Sequence, residues 1–245
     1  MEKKQKDTKD KYGISIDEMA QLGVAFGHRA SKRHPKMEPY ILGVKGSEHI
    51  NIIDLEKTKE MLEKALDYLS EIAKEGKTIL FVGTKPSIRN LVKETAQECK
   101  MPFVIHRWIG GTLTNFNVIR KRVEYYIELR RKMQEGELKK YTKKEQLEFQ
   151  REINDLEEKF GGLEHLTKLP DALFIVDMWK EKLAVKEAKK KNIPVVAIAD
   201  TNVDPTLADY PIPANDDAIS SVKYILEKVK KVMLANSKQS KQSKQ

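Results

Sequence analysis

The chain of 245 residues is long enough to bury the core of one large domain or of two modest ones. Lysine and arginine outnumber aspartate and glutamate by 46 to 37, and the net charge of +9 favours a polyanionic partner, with a basic protein that has no such partner as the alternative. The single cysteine, Cys99, excludes an internal disulfide, and the lack of a secretory segment or of an apolar run near the ~18 residues of a membrane span predicts a cytoplasmic protein without a membrane partner.

The two ends of the chain, 1–12 and 236–245, are predicted to be disordered tails. The first is almost wholly polar or charged, and the second repeats the letters SKQ. Neither buries enough apolar surface to offset the entropy that ordering would cost.

Between the tails, short runs of branched apolar residues alternate with amphipathic stretches, which is typical of an α/β protein with a mostly parallel sheet. The predicted strands are 49–54, with YILG (40–43) as a hairpin partner, then 78–83, 102–106, 171–177 and 194–200. The predicted helices are 55–75, closed by Gly76, then 87–100, 180–191 and a last one capped by Asn215. The α/β domain therefore comprises 13–111 and 161–235.

An insertion at 112–160 interrupts this alternation. Apolar residues recur there in steps of four and three, first through Ile119, Val123 and Tyr126 and then through Ile153, Leu156 and Phe160. Heptad spacing on two successive helices predicts an antiparallel coiled-coil hairpin that projects from the domain. The glycine pairs at 110–111 and 161–162 are predicted to act as hinges.

Two glycine-containing loops are candidate anion sites. FVGTKPS (81–87) follows a strand, where open sheets bind phosphates, but it has one glycine, and Pro86 removes a backbone donor. We interpret it as a turn into a helix, with a nucleotide site as the alternative. In GGTLTN (110–115), Thr114 is predicted to cap the next helix, and free N–H groups would hold an anion.

Two segments concentrate basic side chains. AFGHRASKRHPKMEPY (25–40) has too few apolar residues to bury them, so phosphate contact is favoured over a solvated loop. The helix after GGTLTN carries six more cations. Contact with the phosphates of an RNA along an exposed rod and ion pairs within a solvated coiled coil both stay open for this helix.

Aspartates follow two predicted strands, at the place where α/β enzymes hold catalytic carboxylates. The turn-rich residues around Asp204 and Asp209 favour a structural role, and no nucleophile or metal motif is present. We therefore expect no catalytic residue, no cofactor and no metal. A metal held by His28 with Asp177 or Asp200 is an alternative if the fold brings them together.

Eight segments resemble the S-two family of bacterial-type small-subunit ribosomal proteins. They occur in the family's order and span the chain from about Met19 to Lys231. The segments are FGHRASKRHPKMEPYI, IIDLEKT, ILFVGTK, HRWIGGTLTNF, LPDALFIVD, EKLAVKEA, IPVVAIADTNVDP and YPIPANDDAI. Arg33 and His34 depart from the tryptophan and asparagine that the family usually has at these positions.

The resemblance implies a flavodoxin-like fold with a protruding coiled-coil hairpin and no enzymatic activity. It also implies a place between the head and body of the small subunit, with 16S-type rRNA and other small-subunit proteins as partners, and no DNA. Support for late assembly and for docking of ribosomal protein S-one is expected as well. The residues expected to contact rRNA are His28, Arg29, Lys32, Arg33, Lys36, Arg107, Thr114, Asn115, Arg120, Lys121, Arg122, Arg130, Arg131 and Lys132. The rival hypotheses are a nucleotide-dependent enzyme on the same fold and a coiled-coil scaffold that binds proteins without RNA.

Overall fold

The computed structural model describes residues 11–237, so most of the two predicted tails lies outside the described residues. The inner ends of the tail ranges belong to the fold. Tyr12 packs against the hydrophobic core, and the last helix of the chain continues to Ser237. The folded part thus extends slightly beyond the predicted limits at residues 13 and 235.

A small antiparallel sheet contains the first three strands, β1 (Phe26–Arg29), β2 (Ile41–Lys45) and β3 (Ile50–Ile53), in the order β1-β3-β2. The pairing of β2 with β3 confirms the predicted hairpin. Strand β1 lies within the segment that was predicted only as a polar loop. It is extended because it pairs with β3, and because the His28 N–H donates to the Thr201 hydroxyl at 2.9 Å.

The central sheet has five parallel strands, β4 (Ile79–Val82), β5 (Phe103–Val104), β6 (Ala172–Ile175), β7 (Val195–Ala199) and β8 (Tyr210–Pro213). Their order is β5-β4-β6-β7-β8, which in chain order of the parallel strands is the flavodoxin-like 2-1-3-4-5. Four of them confirm predicted strands. The fifth, β8, lies in a stretch whose aspartates and asparagines had predicted a turn-rich loop. Its two prolines lack N–H groups, and its position at the edge of the sheet tolerates this.

Helices cover both faces of the central sheet. They are α1 (Ile16–Gln21), α2 (Leu55–Lys74), α3 (Arg89–Glu98), α4 (Phe116–Gln134), α5 (Lys143–Phe160), α6 (Lys182–Lys190) and α7 (Ile219–Ser237). One core cluster joins the sheet to α2, α3 and α7, and a second joins its other face to α4, α5 and α6. The predicted cap at Asn215 is present, since its Oδ1 accepts from the backbone N–H groups of Asp217 and Ala218, although α7 begins only at Ile219.

Helices α4 and α5 occupy the predicted insertion and contact each other. Their predicted apolar positions are buried, among them Val123 and Tyr126 on α4 and Ile153 and Phe160 on α5. These side chains are continuous with the core on the α6 face of the sheet. The coiled-coil geometry of the pair, and the division of the chain into a domain and an insertion, stay predictions.

The glycine after α5 has a packing role that a hinge would not need. A Cβ on Gly162 would lie 2.1 Å from the carbonyl oxygen of Phe103 in β5 and 2.6 Å from its ring. Any side chain would clash with this backbone oxygen. Gly162 therefore allows the chain to return closely against the sheet when it leaves α5.

Candidate nucleic-acid interface

Two side chains of the basic segment 28–36 are held by aspartates of the protein itself. The His28 imidazole lies 3.2 Å from Asp200 and 3.5 Å from Asp217. Lys36 donates to Asp204 at 2.7 Å and to the Thr206 hydroxyl at 3.1 Å. These contacts bind the segment to the loop after β7, so the structure gives these two predicted RNA-contacting residues internal partners.

The outward side chains of this segment differ in how far they are neutralised. Arg29 is paired with Glu48, and the Arg33 guanidinium lies 3.7 Å from Glu38. Lys32 is exposed, and no ion pair is recorded for it in the part of the chain that the structure describes. Among these three cations, Lys32 has the charge most available to a polyanion.

His28 belongs to a compact group of possible metal ligands. One donor atom each from His28, Asp200 and Asp216 lies within 4.8 Å of the other two. One imidazole and two carboxylates suit a divalent cation such as Zn²⁺. Of the two aspartates predicted as partners, the fold brings Asp200 to His28, while Asp177 accepts from the Lys180 N–H at 2.8 Å and lies 3.8 Å from Lys85.

The electrostatics of this group reflect carboxylates crowded in a buried site. Burial and the neighbouring charges of Asp177 and Asp200 raise the pKa of Asp216 to about 7, and its Oδ2 has no hydrogen-bond partner among the described residues. The hydrogen bond to Asp200 raises the pKa of His28. A bound cation would relieve both the repulsion and the unsatisfied oxygen.

The FVGTKPS loop is occupied by the protein's own side chains. The Thr84 N–H donates to Glu181 at 3.1 Å, and the Thr84 hydroxyl donates to the same oxygen. Lys180 donates to the Thr84 carbonyl oxygen at 3.1 Å, and Lys85 is paired with Asp216 and Asp217. This is the position where flavodoxin-like sheets bind phosphates, and the Thr84 donors and the Lys85 ammonium are already engaged there by carboxylates of the protein. The interpretation as a turn agrees with this geometry.

The N–H groups of GGTLTN are bound by a carboxylate of the protein itself. Glu187 accepts from the backbone N–H groups of Gly111 at 2.7 Å, Leu113 at 3.0 Å and Thr114 at 3.1 Å. The Thr114 hydroxyl donates to it at 3.1 Å, and the Trp108 indole at 3.2 Å. The prediction of free N–H groups was therefore wrong. Thr114 is also not the helix cap, because Asn115 precedes the first residue of α4.

The charge of Glu187 is stabilised at this position. The side chain is only 5% exposed, and burial acts to raise its pKa, but the hydrogen bonds from Gly111, Thr114 and Leu113 outweigh burial and lower it. The carboxylate thus remains ionised inside the protein. It holds the loop to α6 in the way that a bound phosphate would hold a glycine loop.

Four of the six predicted cations on α4 are engaged within the protein. Arg120 donates to Glu124 and to the carbonyl oxygens of Glu164 and Leu166. Arg130 makes a bidentate pair with Glu164, with both N–O distances at 2.6 Å. Arg131 and Lys132 are paired with glutamates one turn away, including Glu128. Much of the positive charge of this helix is therefore neutralised locally.

Lys121 and Arg122 complete the set on α4. Both are exposed, and neither has a recorded ion pair among residues 11–237. Arg107 is likewise exposed on the loop that Glu187 holds. The predicted interface therefore divides into side chains that stabilise the fold and a smaller number that are available to a polyanion.

Comparison with known proteins decides what kind of protein has this geometry. The sequence profile of the family described as "Ribosomal protein S2" matches residues 19–236. The chain is also 45% identical over 221 residues to "Small ribosomal subunit protein uS2" of Coprothermobacter proteolyticus, covering 90% of this chain and 82% of that protein. The chain belongs to the ribosomal protein S2 family.

Membership of the ribosomal protein S2 family makes the chain a structural ribosomal protein of the cytoplasm and not an enzyme. The match covers both sheets and the two helices of the insertion. Among residues 11–237, no helix combines the length and the apolarity that a membrane span requires.

Two carboxylates of this ribosomal protein S2 family member were missed by sequence reasoning. Glu187 lies among Ala184, Val185 and Ala188 on the inward face of α6. A charged residue at such a position is almost always paired, and this signal was available in the sequence. Asp216 follows the predicted helix cap Asn215 in the sequence, and nothing local indicates its approach to His28, which joins distant parts of the chain.

Proposed function

We propose that this chain is a constituent of the small ribosomal subunit that binds 16S-type rRNA between the head and the body. In this proposal it also supports late subunit assembly and helps to dock ribosomal protein S-one. The S2 family profile and the name of the Coprothermobacter proteolyticus relative support the subunit assignment. The resemblance of the eight sequence segments supports the location between head and body and the docking of S-one.

The observation that carries the rRNA part is the set of exposed cations without a carboxylate partner. Within the described residues, Arg107, Lys121 and Arg122 fulfil this condition on a chain of net charge +9, and Lys32 is exposed without an ion pair, although its charge helps to lower the pKa of Asp217. When unpaired lysines and arginines bind phosphates, the counterions condensed on the nucleic acid are released. This release is the main source of affinity for a nucleic acid. Arg120, Arg130 and Lys36 support the interface by holding its elements in place.

The coiled-coil hairpin is part of the same proposal. Lys121 and Arg122 are exposed on α4, whereas Val123 and Tyr126 of the same helix are buried. Packing of α4 against α5 would hold these cations in a fixed arrangement. Deletion of 114–160 should therefore weaken ribosome association, and undiminished association would remove the role of the hairpin.

Sucrose-gradient sedimentation of the tagged full-length chain tests the proposal. We expect the chain to sediment with small subunits and to be released as the salt concentration rises. A chain that stays in the ribosome-free fractions of growing cells would contradict it. For S-one, capture by subunits with and without this chain should show reduced S-one in its absence.

A further inference from the structure

Helix α6 exposes a row of lysines, and none of the lysines between residues 179 and 192 forms an ion pair with a carboxylate of residues 11–237. Between residues 179 and 192, every exposed charged side chain is a lysine. The two acids of this segment, Glu181 and Glu187, are 2% and 5% exposed and accept hydrogen bonds from the loops at Thr84 and at Gly111–Thr114. Their charges therefore face the interior, and the outer surface of α6 is strongly positive.

This arrangement differs from that of α4. On α4 the cations alternate with exposed glutamates such as Glu124 and Glu128, which pair with them one turn away. On α6, Lys180 and Lys189 donate to backbone carbonyl oxygens, and Lys182, Lys186, Lys190 and Lys191 have no recorded ion pair within the described part of the chain. Like charges this close repel one another, so an external polyanion would stabilise this surface.

An exposed indole lies at the start of the same surface. Trp179 is 62% exposed, whereas Trp108 is 6% exposed and donates a hydrogen bond to Glu187. The Lys182 Nζ lies 5.8 Å from the centroid of the Trp179 ring. An exposed ring bordered by cations is the combination with which proteins bind single-stranded nucleic acid, because a base stacks on the ring while its phosphates meet the cations.

The spacing of the lysines also fits the phosphates of an extended, unpaired RNA strand. Lys182, Lys186 and Lys190 are four residues apart, so they lie on one side of the helix about 6 Å apart along its axis. Leu183 is 45% exposed on the next position and lies near Gly110 in the loop that carries Arg107. The surface is therefore continuous from Trp179 along α6.

We propose that α6 and Trp179 form a second RNA-binding surface, on which an unpaired rRNA segment places its phosphates along Lys182, Lys186 and Lys190 and stacks one base on Trp179. The inference rests on the proposed rRNA-binding function and adds a surface outside the fourteen residues predicted from the sequence. A paired RNA helix fits less well, because its bases are stacked on one another and do not reach the indole.

The test compares two triple variants of the full-length chain that remove the same charge. One is K182A/K186A/K190A, and the control is K74A/K223A/K231A, whose lysines are exposed on α2 and α7 on the opposite face of the sheet. Binding of a short unpaired oligoribonucleotide and of an RNA duplex is measured at several salt concentrations. Replacement of exposed lysines changes the free energy of unfolding little, and melting temperatures equal to that of the wild type confirm that both variants are folded.

We expect the α6 variant to reduce the slope of log affinity against log salt by about 2 for the unpaired probe, as three lost phosphate contacts require. The control should keep the wild-type slope. W179A should bind the unpaired probe about tenfold more weakly, while W179F retains most of the affinity and the duplex shows no such difference.

Equal behaviour of the two triple variants, or a W179A variant that binds like wild type, would overturn the inference. Loss of subunit association by the α6 variant with unchanged RNA binding would also overturn it, since the surface would then bind a protein. If the wild-type chain binds neither rRNA nor small subunits, the proposed function fails. If it binds and the α6 variant matches its control, only the second surface fails.

Discussion

Thr114 donates two hydrogen bonds to one carboxylate oxygen of Glu187, from its backbone N–H and from its hydroxyl, both at 3.1 Å. With Gly111, Leu113 and Trp108, the loop before α4 directs five donors at this single side chain. Two of these donors reach one carboxylate oxygen and three reach the other. An ionised carboxylate suits such a set because both oxygens accept and neither carries a proton, although five donors exceed its four lone pairs and at least one lone pair is shared. Glu187 therefore joins α6 to the start of the predicted RNA-contacting helix.

Replacement of Glu187 by glutamine should destabilise the protein by about 3 kcal/mol, because an amide directs an NH₂ group at donors and leaves them unsatisfied. Urea unfolding measures the change in the free energy of unfolding. Glu148→Gln on the exposed side of α5 is the control and should stay within about 0.5 kcal/mol of wild type. Equal stabilities of the two variants would show that the five contacts contribute little.

The stabilisation by Glu187 should depend on pH in a defined direction. The pKa of Glu187 is lowered in the folded protein, whereas it returns to its ordinary value of 4.5 on unfolding. The stabilisation is thus fully present above the unfolded pKa and is lost as the pH falls through the folded pKa. The difference in unfolding free energy between wild type and E187Q should be constant from about pH 6 to 8 and shrink below about pH 5. A difference that grows on acidification would contradict this assignment.

Substitution of Gly162 by alanine should destabilise the fold by about 1–3 kcal/mol, the usual cost of overpacking. The added Cβ would lie 2.1 Å from the Phe103 carbonyl oxygen, which is backbone and has little room to move. Gly43→Ala on the exposed strand β2 is a matched control, since a Cβ there meets nothing within 4 Å. Thermal unfolding distinguishes the two, and a melting temperature of G162A equal to that of G43A would show that the chain relaxes freely.

Two arginines on α4 should behave in opposite ways when each is replaced by alanine. Arg130→Ala removes the bidentate pair with Glu164 and should lower stability, because that carboxylate is largely buried. Arg122→Ala should leave stability unchanged and weaken rRNA binding, with a salt slope reduced by about 0.7 to 0.9. Denaturation and filter binding at several salt concentrations measure the two effects. A destabilised R122A with unchanged RNA binding would reverse the assignment.

A divalent cation should stabilise the protein through His28, Asp200 and Asp216. At a Zn²⁺ concentration of about 100 times Kd, the gain is about 2.7 kcal/mol, or roughly 5–10 °C in Tm for a chain of this size. Asp216→Asn should abolish the gain. In EDTA the same variant should be at least as stable as wild type, because it removes a like charge from Asp177 and Asp200 while keeping the Oδ1 acceptor for Lys85. Asp155→Asn on the surface controls for nonspecific binding, and an equal Zn²⁺ effect on D216N would exclude this site.

Particular elements show where sequence reasoning succeeded. The strands at Ile79–Val82, Ala172–Ile175 and Val195–Ala199 are buried on both faces, so their apolar runs could be recognised without the structure. Strand β8 was missed because the turn-forming aspartates and asparagines around it predicted a loop, and its place at the sheet edge, where its prolines are tolerated, is decided by the fold. The cations of α4 were recognised in the sequence, but their pairing with glutamates and their contact with RNA phosphates both stayed open, because the sequence does not show which side chains meet in the fold.

The order of residues along the chain was sufficient for the α/β class, the inward faces of the helices, the basic character and the family resemblance. Each of these depends on local periodicity, on composition or on motifs that are continuous in the sequence. Three features became visible only in the folded arrangement. Glu187 occupies the GGTLTN loop, His28 approaches Asp200 and Asp216, and some surface cations are paired with carboxylates while others are not. Hydrogen bonds and charge interactions act over a few ångströms in space, and the fold brings together groups far apart in the chain, such as His28 and Asp216, which are separated by 188 positions.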